Sequence, residues 1–143
     1  MKKLWLLILP LFIAVFTANA GEGNSATGIQ FKEISWAEAA KLAAKDKKLI
    51  FMDIYTTWCG PCKALRKNTF PDKAVGDHFN ANFVNMAVDA EKGEGLQIAE
   101  KYGIQGYPTL LIIDKDGKEV GRSVGYIGPQ ELLNFGKQYS KKK

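Results

Sequence analysis

The segment LIFMDIYTTWCGPCK, residues 49–63, places both cysteines of the chain just after a nearly continuous apolar run. Residues 49–55 have the length and apolar character of a strand buried on both faces of a central sheet. Only two residues separate Cys59 from Cys62, so a disulfide between them would close a very small loop and add little stability. The pair is therefore predicted to be a reactive dithiol that opens and closes.

The position of the pair predicts a different role for each cysteine. Only a thiolate attacks a disulfide, so the attacking residue needs a lowered pKa and an exposed position. Cys59 stands where the predicted strand ends and a predicted helix begins, so its sulfur would face unpaired helix amides. Pro61 suits the first turn because it has no amide hydrogen. We expect Cys59 to attack from an exposed position, and the shielded Cys62 to resolve the mixed disulfide.

The same two thiolates could instead form half of a zinc site, but a closed structural site usually takes four ligands. The sequence has no third cysteine and a single histidine, His78. We therefore expect no metal site within one chain, although a site shared between subunits stays open. No bound cofactor is expected, because the redox-active pair Cys59–Cys62 would itself carry the electrons.

Asp53 is the only charged residue in the apolar run at residues 49–55. A carboxylate buried in a strand is costly, so its pKa should rise and part of the population should be protonated. The alternative is an aspartate at a strand end that faces water.

The N-terminus has the three parts of a secretory signal peptide. Lys2 and Lys3 precede an apolar run at residues 4–16, and Ala18-Asn19-Ala20 is a small-x-small cleavage site. The run is shorter than the roughly 17–25 residues that cross a bilayer. We predict a cleavable signal peptide at 1–20 and a periplasmic or otherwise exported protein; an uncleaved membrane anchor is the alternative.

The rest of the chain is predicted to form one domain at residues 29–140, between a flexible leader at 21–28 and a basic tail at 141–143. The formal net charge is +5, of which Lys2 and Lys3 contribute two. So small an excess predicts no nucleic-acid partner. The three lysines of the tail could contact anionic lipid, but a solvated tail is the simpler interpretation.

Hydrophobic periodicity and turn residues predict an α/β domain with the order β-α-β-α-β-α-β-β-α. Ser35 and Glu38 form a capping box that opens the first helix. The predicted strands are residues 29–34, 49–55, 82–88, 109–113 and 118–124. The other predicted helices are residues 62–68, 72–80 and 94–102, and one that begins at Pro129.

Two motifs resemble the thioredoxin superfamily. The sequence WCGPCK at 58–63, after an apolar strand, is similar to its active site, and GIQGYPT at 103–109 is similar to its cis-proline loop. The resemblance extends over about residues 29–140. It implies the thioredoxin fold, with a central mixed β-sheet flanked by helices.

The resemblance also implies roles for residues outside the cysteine pair. Asp53 would lie below the disulfide as the acid/base that manages the Cys62 proton. Pro108 would be cis and packed against the sulfurs, with the Tyr107 backbone free to pair with an extended substrate. Gly125 would keep the neighbouring surface low enough for a peptide to dock. The remaining substrate-binding positions would be Trp58, Gly60 and Pro61.

Three features depart from typical cytosolic thioredoxins. Residues 55–57 are Tyr-Thr-Thr where those proteins commonly have Trp-Ala-Glu, and Asn85 stands where many have a lysine close to the buried aspartate. Residues 67–72 instead resemble exported thioredoxin-like domains, including the C-terminal periplasmic domain of the transmembrane reductase DsbD. These differences leave the redox potential and the direction of electron flow open.

The function expected from these features is that of an exported thiol–disulfide oxidoreductase which reduces protein disulfides. Its electrons would come from a membrane thiol reductase, and a monomer is expected. The chain has no long dimerisation segment of the kind that isomerases use, which counts against isomerase activity. One alternative is an oxidase or isomerase that assists the folding of secreted proteins. Another is a thioredoxin-like binding module without turnover, because fold alone does not establish catalysis.

Overall fold

The apolar run at residues 49–55 forms the central strand of the sheet in the computed structural model, which describes residues 27–140. This strand, β1, is Leu49–Tyr55. It pairs in parallel with β2, Phe83–Asp89, and antiparallel with β3, Thr109–Ile113. β3 in turn pairs antiparallel with β4, Glu119–Val124. The order β2-β1-β3-β4 confirms the predicted mixed sheet.

Helices flank this sheet, as predicted. The α-helices within the described residues are α1 Trp36–Asp46, α2 Gly60–Ala64, α3 Lys73–Asn82, α4 Gly95–Lys101 and α5 Pro129–Ser140. The capping box of α1 is confirmed, because the Glu38 carboxylate accepts from the Ser35 amide at 2.9 Å and the Ser35 hydroxyl accepts from the Glu38 amide at 3.3 Å. Between residues 27 and 140, no helix is long and apolar enough to cross a bilayer.

The alternation of side chains along β1 divides the core into two layers. Ile50, Met52 and Ile54 pack with residues of α1 and α4 on one face of the sheet. Phe51 packs on the other face with residues of α3 and α5, and its ring meets that of Phe79 at 4.6 Å between centroids. Asp53 shares the parity of Phe51, so it points toward this second layer.

The predicted strand at residues 29–34 is wrong, because this segment forms no regular secondary structure. Its backbone is held by three separate acceptors and not by one neighbouring strand. The Ile29 amide donates to the Phe70 carbonyl, the Gln30 amide to the Asn80 side chain and the Lys32 amide to the Asn85 carbonyl. Its apolar side chains still pack on the core, as the alternating pattern indicates.

The helix predicted at residues 62–68 is a composite. α2 begins earlier, at Gly60, and continues into a π-helical turn, Leu65–Thr69. The Phe70 amide closes this wide turn on the Leu65 carbonyl at 2.9 Å. The extra residue in the turn lets Leu65, Thr69 and Phe70 all point inward, where they are buried. The predictions for residues 1–20, for most of the leader and for the tail at 141–143 concern residues outside the described range.

Candidate active site

Cys59 and Cys62 form a disulfide at the amino end of α2, with 5.3 Å between their Cα atoms. Cys59 is the N-cap of this helix, and its sulfur accepts a hydrogen bond from the Cys62 amide at 3.1 Å. A helix amide that already points at the sulfur would stabilise a thiolate there once the disulfide is reduced. The position predicted for Cys59, where a buried strand gives way to a helix, is the one observed.

The predicted difference in exposure between the two cysteines is wrong for the disulfide form. Cys59 is 3% exposed and Cys62 is 2% exposed. In a closed disulfide each sulfur covers part of the other, and both backbone groups of Cys59 are engaged, with Thr56 and Lys63. The exposed surface beside the disulfide belongs to its neighbours Trp58, Gly60 and Pro61.

Asp53 is buried in β1, with 1% of its surface exposed, so the alternative of an aspartate that faces water is wrong. Its Oδ1 atom has no hydrogen-bond partner among the described residues. Burial raises the pKa of Asp53 to about 7, and the charge of Arg66 opposes this rise. A carboxyl with a pKa near neutrality can both accept and release a proton at physiological pH.

The loop before β3 lies beside the cysteine motif. The Tyr107–Pro108 peptide bond is cis, and Pro108 is buried. The Tyr107 ring meets the Trp58 ring edge-on, with 5.9 Å between centroids. This contact joins the GIQGYPT segment at 103–109 to the WCGPCK segment at 58–63.

Gly125 lies on the far side of the same loop. Its amide donates to the Pro108 carbonyl at 2.8 Å, and its φ is +92°, in the region that favours glycine. A Cβ atom built at Gly125 would meet no heavy atom within 4 Å. The added group would therefore project from the surface next to Pro108, where the resemblance to thioredoxins implies that a peptide docks.

Sequence reasoning missed two charged residues near the site. Glu91 accepts hydrogen bonds from the Trp58 indole at 3.1 and 3.2 Å. Arg66 lies over the Tyr55 ring, with its Cζ atom 3.7 Å from the ring centroid. A local signal existed for Arg66, because it follows Cys62 by four residues, the spacing that places two side chains on one helix face.

Within residues 27–140, no three His, Cys, Asp or Glu side chains are grouped so as to hold a metal ion.

Comparisons with known proteins agree with this geometry. Residues 36–140 match the family described as the thioredoxin-like domain. A thioredoxin from Echinococcus granulosus is 38% identical over 98 residues, which cover 67% of this chain and 85% of that protein. The solution structure of a candidate disulphide-isomerase from Bacteroides thetaiotaomicron has 48% identity and a TM-score of 0.72. That match covers 82% of this chain and 98% of the other.

A longer relative matches over part of its length. The thiol:disulfide interchange protein DsbD of Haemophilus influenzae strain PittEE is 29% identical over 125 residues, which cover 83% of this chain. The aligned region spans only 21% of that DsbD. The family match covers most of the chain, and the disulfide lies at the junction of β1 and α2, so the chain belongs to the family of thioredoxin-like domains.

Proposed function

We propose that this protein is an exported oxidoreductase that reduces disulfides in other proteins. The observation that carries the proposal is the hydrogen bond that the Cys62 amide donates to the Cys59 sulfur. This bond lies where β1 gives way to α2, and Asp53 is buried in that same strand. Gly60 and Pro61 between the cysteines match the reducing type of thioredoxin-fold protein. The reduction potential of that type is about −270 mV, whereas that of the oxidant DsbA is about −120 mV.

The proposed reaction transfers two electrons to the substrate disulfide. The Cys59 thiolate attacks one substrate sulfur, a mixed disulfide forms, and the other substrate sulfur leaves as a thiolate that takes up a proton. Asp53 accepts the proton of the Cys62 thiol, and the resulting thiolate attacks the Cys59 sulfur. The second substrate sulfur then leaves, the substrate is fully reduced, and Cys59 and Cys62 are oxidised to the disulfide.

The proposed substrate surface surrounds the disulfide. Trp58 is 64% exposed and offers an apolar face, and Gly60 and Pro61 are exposed beside it. An extended peptide would pair with the backbone of Tyr107 next to Pro108. It would pass over Gly125, where no side chain obstructs it.

The compartment and the electron source are also parts of the proposal. The signal-peptide pattern of residues 1–20 supports export, and an exported reductase requires a donor of electrons outside the cytoplasm. A membrane thiol reductase would regenerate the dithiol by the reverse exchange, and the protein would act as a monomer.

Trapping of mixed disulfides tests the proposal. A Cys62→Ser variant should remain covalently bound through Cys59 to its physiological partners, which mass spectrometry can identify. A membrane thiol reductase and a narrow set of clients are the expected catch. The purified parent should reduce insulin with dithiothreitol as donor, whereas failure to do so would support the binding-module alternative. A potential above about −150 mV would rule out the reducing role.

An isomerase is the second candidate function, because the 48% identical Bacteroides relative is named a candidate disulphide-isomerase. Reactivation of scrambled ribonuclease A tests it. Shuffling needs the attacking Cys59 but no net transfer of electrons, so reactivation that persists in Cys62→Ser and is lost in Cys59→Ser at equal total thiol would favour the isomerase over the reductase.

A further inference from the structure

A cavity of about 440 Å³ lies on the side of the sheet toward which Asp53 points. Its walls include Tyr55 at the end of β1, Ala87 of β2 and Arg66 of the π-helical turn. Ala87 is the residue directly across from Asp53 in the β1–β2 register, and Tyr55 follows Asp53 by two positions on the same face. The cavity therefore borders the strand position of the buried carboxyl.

Arg66 is exposed, and its guanidinium lies against an aromatic ring at this cavity and not against an anion. Its Cζ atom lies 3.7 Å from the Tyr55 ring centroid, a cation–π contact. Over residues 27–140, no carboxylate forms an ion pair with Arg66. Its positive charge is thus not neutralised by a direct partner.

We propose that Arg66, held against Tyr55 beside this cavity, is a positioning residue that favours the ionised form of Asp53. The inference rests on the proposed function, because it matters to turnover only if Asp53 manages the Cys62 proton. Burial alone would raise the pKa of Asp53 well above its usual range and so keep the carboxyl protonated. The positive charge of Arg66 lowers that pKa against the effect of burial.

Among the groups around Asp53, Arg66 carries the charge that acts on the buried carboxyl. Across from Asp53, β2 and β3 place the neutral residues Ala87 and Leu110. α2 contributes cysteines that are joined in the disulfide. The segment before α1 contributes Lys32 and Glu33 to the cavity wall, and both side chains are exposed to solvent.

A direct titration of Asp53 tests the inference without any turnover. The Asp53 carboxyl carbon is followed by NMR as a function of pH in the oxidised, isotopically labelled protein, where no thiol titrates. Arg66→Gln and Arg66→Met should each move the midpoint to higher pH by about half a unit or more, since a nearby opposite charge lowers a carboxyl pKa. Arg66→Lys should lie between the parent and the neutral variants. The matched control Lys67→Gln removes an exposed cation from the same turn and should leave the midpoint unchanged.

Several results would overturn the inference. These are an unchanged midpoint in both neutral variants, an equal shift in Lys67→Gln, or a midpoint in Arg66→Lys that equals that of Arg66→Gln. In the reduced protein, the pH profile of insulin reduction should shift in the same direction in Arg66→Gln. The Arg66 substitution should add no further shift to an Asp53→Asn variant. A protein that reduces no disulfide would refute the proposed function but would not affect the carboxyl titration.

Discussion

The indole Nε1 of Trp58 donates hydrogen bonds to both carboxylate oxygens of Glu91, at 3.1 and 3.2 Å. The Ala90 amide donates to the Tyr55 carbonyl at 2.8 Å and joins the ends of β1 and β2, which brings the two loops together. Trp58 is also held edge-on by the Tyr107 ring. An exposed indole fixed from two sides is a preorganised contact surface, which reduces the entropy lost when a substrate binds.

Glu91→Ala should weaken substrate binding more than it slows the chemical step. A hydrogen bond in an exposed position contributes about 1 kcal/mol or less, so the KM for insulin should rise roughly two- to five-fold with kcat nearly unchanged. Steady-state kinetics measure both constants. Glu100→Ala is the control, because its side chain is exposed and makes no hydrogen bond to any other residue in 27–140. Equal KM values in the two variants would mean that Glu91 does not orient Trp58 for binding.

Gly125→Ala should raise KM for protein substrates and destabilise the fold by about 1 kcal/mol, because φ at this position is +92°. Its added methyl group would project from the surface beside Pro108, so a bulky polypeptide should be affected more than a small disulfide. The measurement compares KM for insulin with that for a low-molecular-weight aromatic disulfide.

Gly117→Ala is the matched control for Gly125→Ala. Gly117 has a φ of +83° in the turn at the other end of β3, where its Cβ would meet the flexible end of Lys101. The Trp36 ring also lies 3.3 Å from that Cβ, so the substitution should cost at least as much stability, with no change in KM. A loss of insulin binding in both variants would point to a general effect of destabilisation and not to peptide docking at Gly125.

The strands that are buried on both faces were predicted with their observed bounds. Leu49–Tyr55 and Thr109–Ile113 are nearly continuous apolar runs, and burial on both faces leaves that signature in a sequence. Residues 29–34 carry an alternating pattern that indicates which side chains are buried. The pattern carries no information about which acceptors the amides meet, and three different elements supply them.

The site could be predicted to the extent that its parts are local. Asp53 is visible because a charge interrupts an apolar run, and the two cysteines lie within one turn. The contacts of Glu91 with Trp58 and of Arg66 with Tyr55 join residues from different elements, so no local pattern contains them. The exposure of Cys59 depends on whether the disulfide is closed, which the sequence does not specify.

Asp53→Asn should slow thiol exchange at neutral pH without unfolding the protein. Asparagine cannot accept the Cys62 proton, so we expect a loss of roughly ten- to a hundred-fold in kcat at pH 7, at or below the usual contribution of a general base. The loss should shrink as the pH rises toward the ordinary thiol pKa, where solvent removes the proton. Stopped-flow measurement of insulin reduction between pH 6 and pH 9 tests this. A pH–rate profile unchanged from that of the parent would exclude the acid/base assignment.

The same substitution should stabilise the oxidised protein at high pH. The pKa of Asp53 is raised by burial from 3.8 to about 7, so the folded state binds the proton more tightly than the unfolded state. Stability should therefore fall as the pH rises from about 4 to about 7 and stay low above it. Asparagine never carries this charge, so Asp53→Asn should be more stable than the parent by up to about 4 kcal/mol at pH 8. The two proteins should be close in stability at pH 4, where the parent carboxyl is protonated.

Guanidinium unfolding at pH 4 and pH 8 measures this difference, with Asp46→Asn as the control at an exposed carboxylate on α1. The control should change stability by no more than about 0.5 kcal/mol at either pH. An equal gain for Asp53→Asn at both pH values would indicate better packing of the amide and not relief of a buried charge. No gain at pH 8 would mean that the pKa of Asp53 is not raised in the folded protein, because the value of about 7 already includes the opposing charge of Arg66.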